Sequence, residues 1–142
     1  IQDLHLERHV LLAGFRPDAL SLQKGFDLFA LSSVAEGMGS VLLDAMAMGQ
    51  ATVATRAGGI PEVVVDGRTG VLVPVRDAPA LASAIVSLLG DPDRRARLGA
   101  AARDRVHESF SVERMVQRTL DSYARLAGTR PATGTDGHAG AD

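Results

Sequence analysis

The feature that most constrains the fold is the stretch 28–47, in which an apolar run, a glycine-containing turn and an apolar helix follow one another. The run Leu28–Leu31 is short and bounded by polar residues, which predicts a buried β-strand. A helix is predicted to begin near Gly39 or Ser40. This order is typical of anion sites in α/β proteins, because glycines let the backbone approach a ligand and the first N–H groups of the helix point at it.

Two carboxylates flank the predicted start of this helix. Between Val41 and Met48, only Asp44 is neither apolar nor alanine, and a helix that is apolar on all sides is usually buried. A buried, unpaired carboxylate costs on the order of several kcal/mol, so Asp44 is expected to meet a backbone donor, a basic side chain or the hydroxyls of a ligand. Glu36 lies eight residues earlier. Either carboxylate alone would indicate a structural or solvated group, whereas the pair favours a site.

Three motifs in this order resemble the donor-site signature of family 4 glycosyltransferases: Glu36–Gly39, Leu42–Ala47 and Gly58–Glu62. Members of that family are retaining, metal-independent enzymes of the two-domain GT-B fold that use nucleotide-sugars. The resemblance runs from about Val10 to Leu126. Two residues depart from the family pattern. Met38 replaces an aromatic residue, and Asp44 replaces a glutamate, which keeps the charge and shortens the side chain by one methylene.

The resemblance implies a role for each matching residue. Glu36, the candidate catalytic residue, would contact hydroxyls of the donor sugar, and Asp44 would bind the ribose diol. The phosphate or the sugar would be held by backbone groups of one turn: Gly37, Met38, Gly39 and Ser40. The donor would be a nucleotide-diphosphate sugar, and neither a metal nor a separate cofactor would be needed.

Strands and helices alternate along the chain, which predicts a parallel sheet wound on both faces. The fold class is α/β, a Rossmann-like parallel sheet of about four strands with flanking helices. The predicted strands are Val10–Gly14, Leu28–Leu31, Gln50–Thr55 and Val71–Pro74. A second glycine turn follows the third of these strands. From the residues alone a plain tight connection is the preferred interpretation, and part of the site is the alternative.

Arg16 follows the first predicted strand at its carboxyl end, where open α/β sheets bind ligands. It is therefore a candidate for contacting nucleotide or phosphate, and a salt bridge with Asp18 is the alternative. Asp18 is the predicted N-cap of a short helix that stops at Gly25. His5 and His9 have the spacing of a metal pair on a helix, but no third ligand is near, and solvated histidines are expected.

The second half of the chain is predicted to be helical. The residues that signal helix starts are Asp77, Asp91 and Ser111. The second of these helices carries many arginines, which indicates a solvated face. In the last helix, Val112 and Met115 are expected to pack on this domain, whereas the end near Leu126 is expected to stay exposed because, by resemblance, it crosses to a partner domain.

Residues 1–126 are expected to form part of a donor-binding domain, and residues 127–142 a disordered tail, since that segment has no large apolar side chain. The chain begins at Ile1 and is expected to be a piece of a longer protein. The resemblance places an N-terminal acceptor domain, and a basic pair that neutralises the diphosphate, outside these 142 residues. A net charge of −2 gives no reason to expect nucleic acid.

No apolar run is long enough to span a membrane, and no signal peptide opens the chain. The expected location is the cytoplasm or the inner face of the membrane, with any membrane contact made only by the missing domain. Two other functions stay open. One is a non-hydrolysing sugar-nucleotide epimerase of the same fold, against which the Glu36–Asp44 pair counts. The other is a non-catalytic α/β module that binds an anion at the glycine turn.

Overall fold

The computed structural model describes residues 1–128, which form a parallel β-sheet with helices on both faces. The three strands, in their order across the sheet, are β1 (Phe29–Leu31), β2 (Thr52–Thr55) and β3 (Val71–Val73). Both pairings are parallel, with Phe29 opposite Thr52 and Val53 opposite Val71. The helices are α1 (Ala19–Gln23), α2 (Ser40–Ala47), α3 (Ile60–Val63), α4 (Ala78–Leu89), α5 (Pro92–Ser109) and α6 (Val112–Leu126).

The central strand divides the core into two clusters. Successive side chains of a strand point to opposite faces of a sheet. Accordingly, Val53 packs in one cluster with Leu88 of α4, and Ala54 packs in the other with Leu42 and Met46 of α2. The helices α2 and α3 therefore cover one face and α4 covers the other, which confirms the predicted winding on both faces.

The first strand is less buried than its sequence predicts. All four residues of β2 are buried, whereas in β1 Phe29 and Leu31 are half-buried and Ala30 is exposed. The reason is its position, because among the described residues β1 pairs only with β2 and lies at an edge of the sheet.

The predicted strand Val10–Gly14 is wrong, so within residues 1–128 the sheet has three strands rather than about four. Leu11 and Leu12 are 87% and 80% exposed, and Phe15 is 94% exposed. A strand needs a neighbour that satisfies its backbone N–H and C=O groups. No strand within residues 1–128 pairs with this segment, and its apolar side chains therefore lie in solvent.

Three helices begin where the sequence predicts. The carboxylates of Asp77 and Asp91 accept hydrogen bonds from the N–H groups of Ala80 and Arg94, each at 2.9 Å. The Ser111 hydroxyl accepts one from the N–H group three residues on, at 3.3 Å. These caps satisfy donors that the start of a helix leaves free.

The arginine-rich face of α5 is only partly solvated, which corrects the prediction for that helix. Arg95 donates hydrogen bonds to two carbonyls at the end of α4, at 2.7 and 2.6 Å. Arg105 donates to two carbonyls at the end of α3, at 2.7 and 2.6 Å, and its guanidinium lies 5.6 Å from the ring centre of Phe110. Both cations thus satisfy the last carbonyls of another helix, where its dipole favours positive charge.

A close backbone contact joins α5 to the turn after α2. Gly99 of α5 faces the carbonyl of Gly49, and a Cβ atom placed at residue 99 would lie 1.9 Å from that oxygen. No side chain fits in this space. The glycine therefore sets the distance between the two elements.

The last helix does not pack as predicted. No side chain of α6 is buried, and Val112 and Met115, which were expected to pack, are 67% and 62% exposed. A groove of about 540 Å³ separates α6 from the residues around α2. The exposure of Tyr123 and Leu126, at 65% and 85%, agrees with the prediction for the end of the helix.

Because α6 buries so little apolar surface, we expect it to open locally far more often than the sheet. In hydrogen-exchange measurements on the 142-residue chain, amides around Tyr123 should exchange about 100-fold faster than that of Val53. Equal protection at the two places would show that α6 is held by contacts that this structure lacks.

The predicted disordered tail, residues 127–142, lies outside the described residues except for Ala127 and Gly128, which follow α6. In the part of the chain that the structure describes, no helix combines the length and the apolarity needed to cross a membrane.

Candidate functional site

Two glycine turns meet at the carboxyl ends of β1 and β2. The first glycine turn (residues 36–39) follows β1, and the second glycine turn (residues 57–59) follows β2. The N–H group of Gly59 donates a hydrogen bond to the carbonyl of Gly37 at 2.8 Å. A hydrogen bond between backbone atoms therefore joins the two turns.

Gly58 sets the position of Glu36. A Cβ atom at residue 58 would lie 1.8 Å from the carbonyl oxygen of Glu36, and the φ angle of Gly58 is +48°. Only glycine combines that backbone conformation with so close an approach. The second glycine turn is thus part of the support of the site rather than a plain connection.

Glu36 is half-buried and held by a chain of hydrogen bonds. The hydroxyl of Ser33 donates to Oε2 of Glu36 at 3.0 Å, and the hydroxyl of Thr55 donates to the carbonyl of Ser33. Sequence reasoning missed both Ser33 and Thr55. The available signal was their placement, since each polar side chain lies where an apolar strand ends.

Free backbone donors lie at the start of α2. Gly39 precedes the helix with a φ angle of +70°, and no side chain caps the first turn. Within residues 1–128, the N–H groups of Met38, Gly39 and Ser40 donate no hydrogen bond. They remain available for an anion, which the helix dipole would also favour.

Asp44 is exposed, which corrects the expectation that it is buried and needs a donor. Leu42, Ala45 and Met46 face the core, whereas Asp44 lies on the opposite, exposed face of α2. No residue in the described range pairs with its carboxylate. Ser40 is also exposed and lies four residues earlier, so the two are neighbours on one face of the helix.

Arg16 pairs with Asp18. This salt bridge was the predicted alternative to a contact with a ligand. The Nε and Nη2 atoms of Arg16 donate to the two carboxylate oxygens at 2.8 and 2.7 Å, and this bonding lowers the pKa of Asp18. Asp18 is the N-cap residue of α1, as predicted, but its side chain pairs with Arg16 and makes no capping hydrogen bond. The proposed contact of Arg16 with a nucleotide stays a prediction.

An apolar groove lies on one side of the first glycine turn. Met38 and Leu43 line it together with Phe110 and the α6 residues Met115 and Tyr123.

His5 and His9 are both exposed. In the described range, no three His, Asp or Glu side chains come close enough together to hold a metal ion.

The sequence matches the family model described as glycosyl transferases group 1 over residues 1–105. It is 39% identical over 123 residues to N-acetyl-alpha-D-glucosaminyl L-malate synthase of Bacillus anthracis, covering 87% of this chain and 32% of that protein. It is 45% identical over 106 residues to alpha-maltose-1-phosphate synthase of Mycolicibacterium smegmatis, covering 70% and 27%. The chain thus spans less than a third of the length of these relatives.

Solved structures share the fold. The Anabaena protein Alr3699/HepE in complex with UDP superposes with a TM-score of 0.83 at 31% identity, covering 89% of this chain and 35% of that chain. The same protein in complex with UDP-glucose gives a TM-score of 0.81. Sucrose-phosphate synthase from Thermosynechococcus elongatus gives 0.79 at 31% identity, covering 89% and 32%.

Proposed function

The chain belongs to the glycosyl transferases group 1 family, and from that membership we propose that it is the donor-binding part of a retaining, metal-independent family 4 glycosyltransferase. The donor is a nucleotide-diphosphate sugar, and no separate cofactor takes part. In this proposal the acceptor domain is a further part of the same protein, which works in the cytoplasm.

The observation that carries the proposal is the set of free N–H groups at the start of α2, beside the half-buried carboxylate of Glu36. Transfer of a sugar leaves negative charge on the departing nucleotide diphosphate. Fixed N–H donors at the start of a helix stabilise such charge without rearranging. HepE, which shares this fold, has been solved in complex with UDP and with UDP-glucose, which supports a nucleotide-sugar as the donor.

Glu36 is proposed to bind hydroxyls of the donor sugar. Ser33 occupies one of its carboxylate oxygens, at 3.0 Å, so the other can accept from a ligand. Because the side chain is already oriented, it loses little conformational freedom when the sugar binds. Contacts that tighten as the sugar leaves the diphosphate would then favour the transition state.

Asp44 is proposed to bind the ribose. Its carboxylate is exposed and unpartnered in the described residues, one helical turn beyond the free N–H groups. A carboxylate can accept from two neighbouring hydroxyls at once. The same helix would thereby hold the diphosphate at its first turn and the ribose at its second.

The test is titration of the chain with UDP, ADP and GDP by calorimetry. We expect one of them to bind, and Asp44→Asn to weaken that binding about 10- to 100-fold, because a charge-assisted hydrogen bond contributes about 1.5–3 kcal/mol. As Asp44 is exposed and unpartnered, the variant should keep the stability of the parent chain.

Glu36→Gln is the matched control, since it also removes one carboxylate beside the same turn. It should leave binding of the nucleoside diphosphate within twofold and weaken binding of the corresponding nucleotide-sugar, because its proposed target is the sugar. If Asp44→Asn left nucleotide binding unchanged, the ribose assignment would be wrong. Equal binding of phosphate and all three nucleotides would instead favour a plain anion-binding module.

A further inference from the structure

We propose that Arg76 and the concavity beside it form a second anion subsite, which takes a phosphate or carboxylate group of the sugar acceptor. That the ligand is the sugar acceptor rests on the proposed function. The anion subsite itself rests on the geometry alone. Thr55, which lines the concavity, belongs to the hydrogen-bond chain that holds Glu36.

The concavity has a volume of about 290 Å³. Its lining includes Ser32, Val34, Thr55, Arg76, Asp77 and Leu81. Ser32 follows β1, Thr55 ends β2 and Arg76 comes shortly after β3, so all three strands contribute from their carboxyl ends. This is the edge at which open α/β sheets bind ligands. The volume is near the lower end for small-molecule pockets, which fits a compact ligand with one oxyanion group.

The concavity is continuous with the support of Glu36. Thr55 lines it and also donates to the Ser33 carbonyl, and Ser33 holds Glu36. By contrast, Met38 of the same turn lines the apolar groove. The concavity and the groove share no lining residue, and none of Met38, Gly39 and Ser40 lines the concavity. An anion beside Arg76 would therefore leave the N–H groups at the start of α2 free for a donor.

Arg76 has an unpaired positive charge and an uncommon backbone conformation. Within residues 1–128 its side chain makes no hydrogen bond and no ion pair. Its φ angle is +60°, in the left-handed region that residues with a Cβ rarely adopt. Six glycines occupy positive φ angles elsewhere in the described chain. His5 shares this conformation, with a φ angle of +52°, so the backbone alone assigns no role to Arg76. The argument rests on its unpaired cation and on its place in the concavity.

The chemistry of the lining fits an oxyanion. A guanidinium presents a planar set of donors that matches phosphate or carboxylate oxygens in pairs. The exposed Ser32 hydroxyl, which makes no hydrogen bond in the described residues, is a further donor. Asp77 is the acidic residue of the lining, and its carboxylate already accepts from the N–H group of Ala80 at 2.9 Å.

Titration of the chain with inorganic phosphate, followed by NMR, tests the subsite. The amides of Ser32 and Thr55 and the Nε–H group of Arg76 should shift together with one dissociation constant. Arg76→Asn should weaken this binding at least fivefold while keeping the turn, since asparagine tolerates the left-handed region. Arg103→Gln, which removes an exposed arginine of α5, is the matched control and should change nothing.

Two further titrations, one with a nucleoside diphosphate present and one with acetate, distinguish the possible results. A saturating nucleoside diphosphate should leave phosphate binding at Arg76 within twofold, and competition between them would overturn the proposal by assigning Arg76 to the donor. Shifts spread over many surface arginines, unchanged by Arg76→Asn, would show an adventitious ion only and also overturn it. A parallel titration with acetate identifies which oxyanion the subsite prefers. If the chain bound phosphate at Arg76 but bound no nucleotide, the anion subsite would be supported. Only the proposed donor site would then be wrong.

Discussion

Replacement of Gly58 by alanine should lower the free energy of unfolding by about 3 kcal/mol and abolish nucleotide binding. Two costs add. A residue with a Cβ atom at a φ angle of +48° is strained by about 1–2 kcal/mol. The new Cβ would also lie 1.8 Å from the carbonyl oxygen of Glu36, and such overpacking costs about 1–3 kcal/mol. Relief requires the two glycine turns to separate, which would displace both Glu36 and the start of α2.

Gly67→Ala is the matched control for this change. Its φ angle is +72°, and a Cβ atom there would meet nothing within 4 Å. It should therefore show the strain alone, a loss of about 1 kcal/mol, with nucleotide binding unchanged. Urea unfolding measures both losses, and calorimetry measures both affinities. Equal losses in the two variants would mean that the glycine turns are not in contact.

The second large effect is expected at Gly99, far from the site in sequence and on a different element. Helix propensity alone predicts that Gly99→Ala stabilises α5 by about 1 kcal/mol. The contact with Gly49 predicts the opposite, because the Cβ would lie 1.9 Å from a backbone oxygen that cannot rotate away. We expect overpacking to prevail and the free energy of unfolding to fall by about 2 kcal/mol.

Gly90→Ala provides the comparison for Gly99, since its φ angle is −78° and the nearest atom to a new Cβ is 3.5 Å away. Its effect on the free energy of unfolding in urea should stay within about 0.5 kcal/mol. If Gly99→Ala were instead stabilising, α5 would not be packed on the turn after α2 as the structure has it. Refolded Gly99→Ala protein should still bind nucleotide, which distinguishes it from Gly58→Ala.

Features that depend on local sequence were predictable. The strand around Phe29, the capping side chains Asp77 and Asp91, and the order of strand, glycine turn and helix all follow from short-range patterns. The same holds for the candidate site as a place, because the carboxyl ends of neighbouring parallel strands meet at one edge. The contact of the second glycine turn with the first was not predictable in this way, since the residues alone favoured a plain tight connection there.

Features that depend on partners distant in the chain were not predictable. The segment Val10–Gly14 has the composition of a strand but no neighbour in the described residues to pair with. Asp44 was expected to be buried because α2 is apolar on every side, yet composition does not reveal which face is covered. Arg105 likewise shows no sign in the sequence that it binds carbonyls more than forty residues away.

In the first glycine turn the backbone and the side chain of Met38 have different roles, and this difference bears on how such a site can evolve. The hydrogen bond between Gly37 and Gly59 and the donors proposed to hold the diphosphate belong to the main chain, whereas the side chain of Met38, 47% exposed, lines the groove. A mutation at residue 38 therefore changes the wall that a bound molecule meets without changing the anion cradle. Descendants of one sequence could therefore change the molecule that meets this wall, while the main-chain donors proposed to hold the nucleotide stay unchanged.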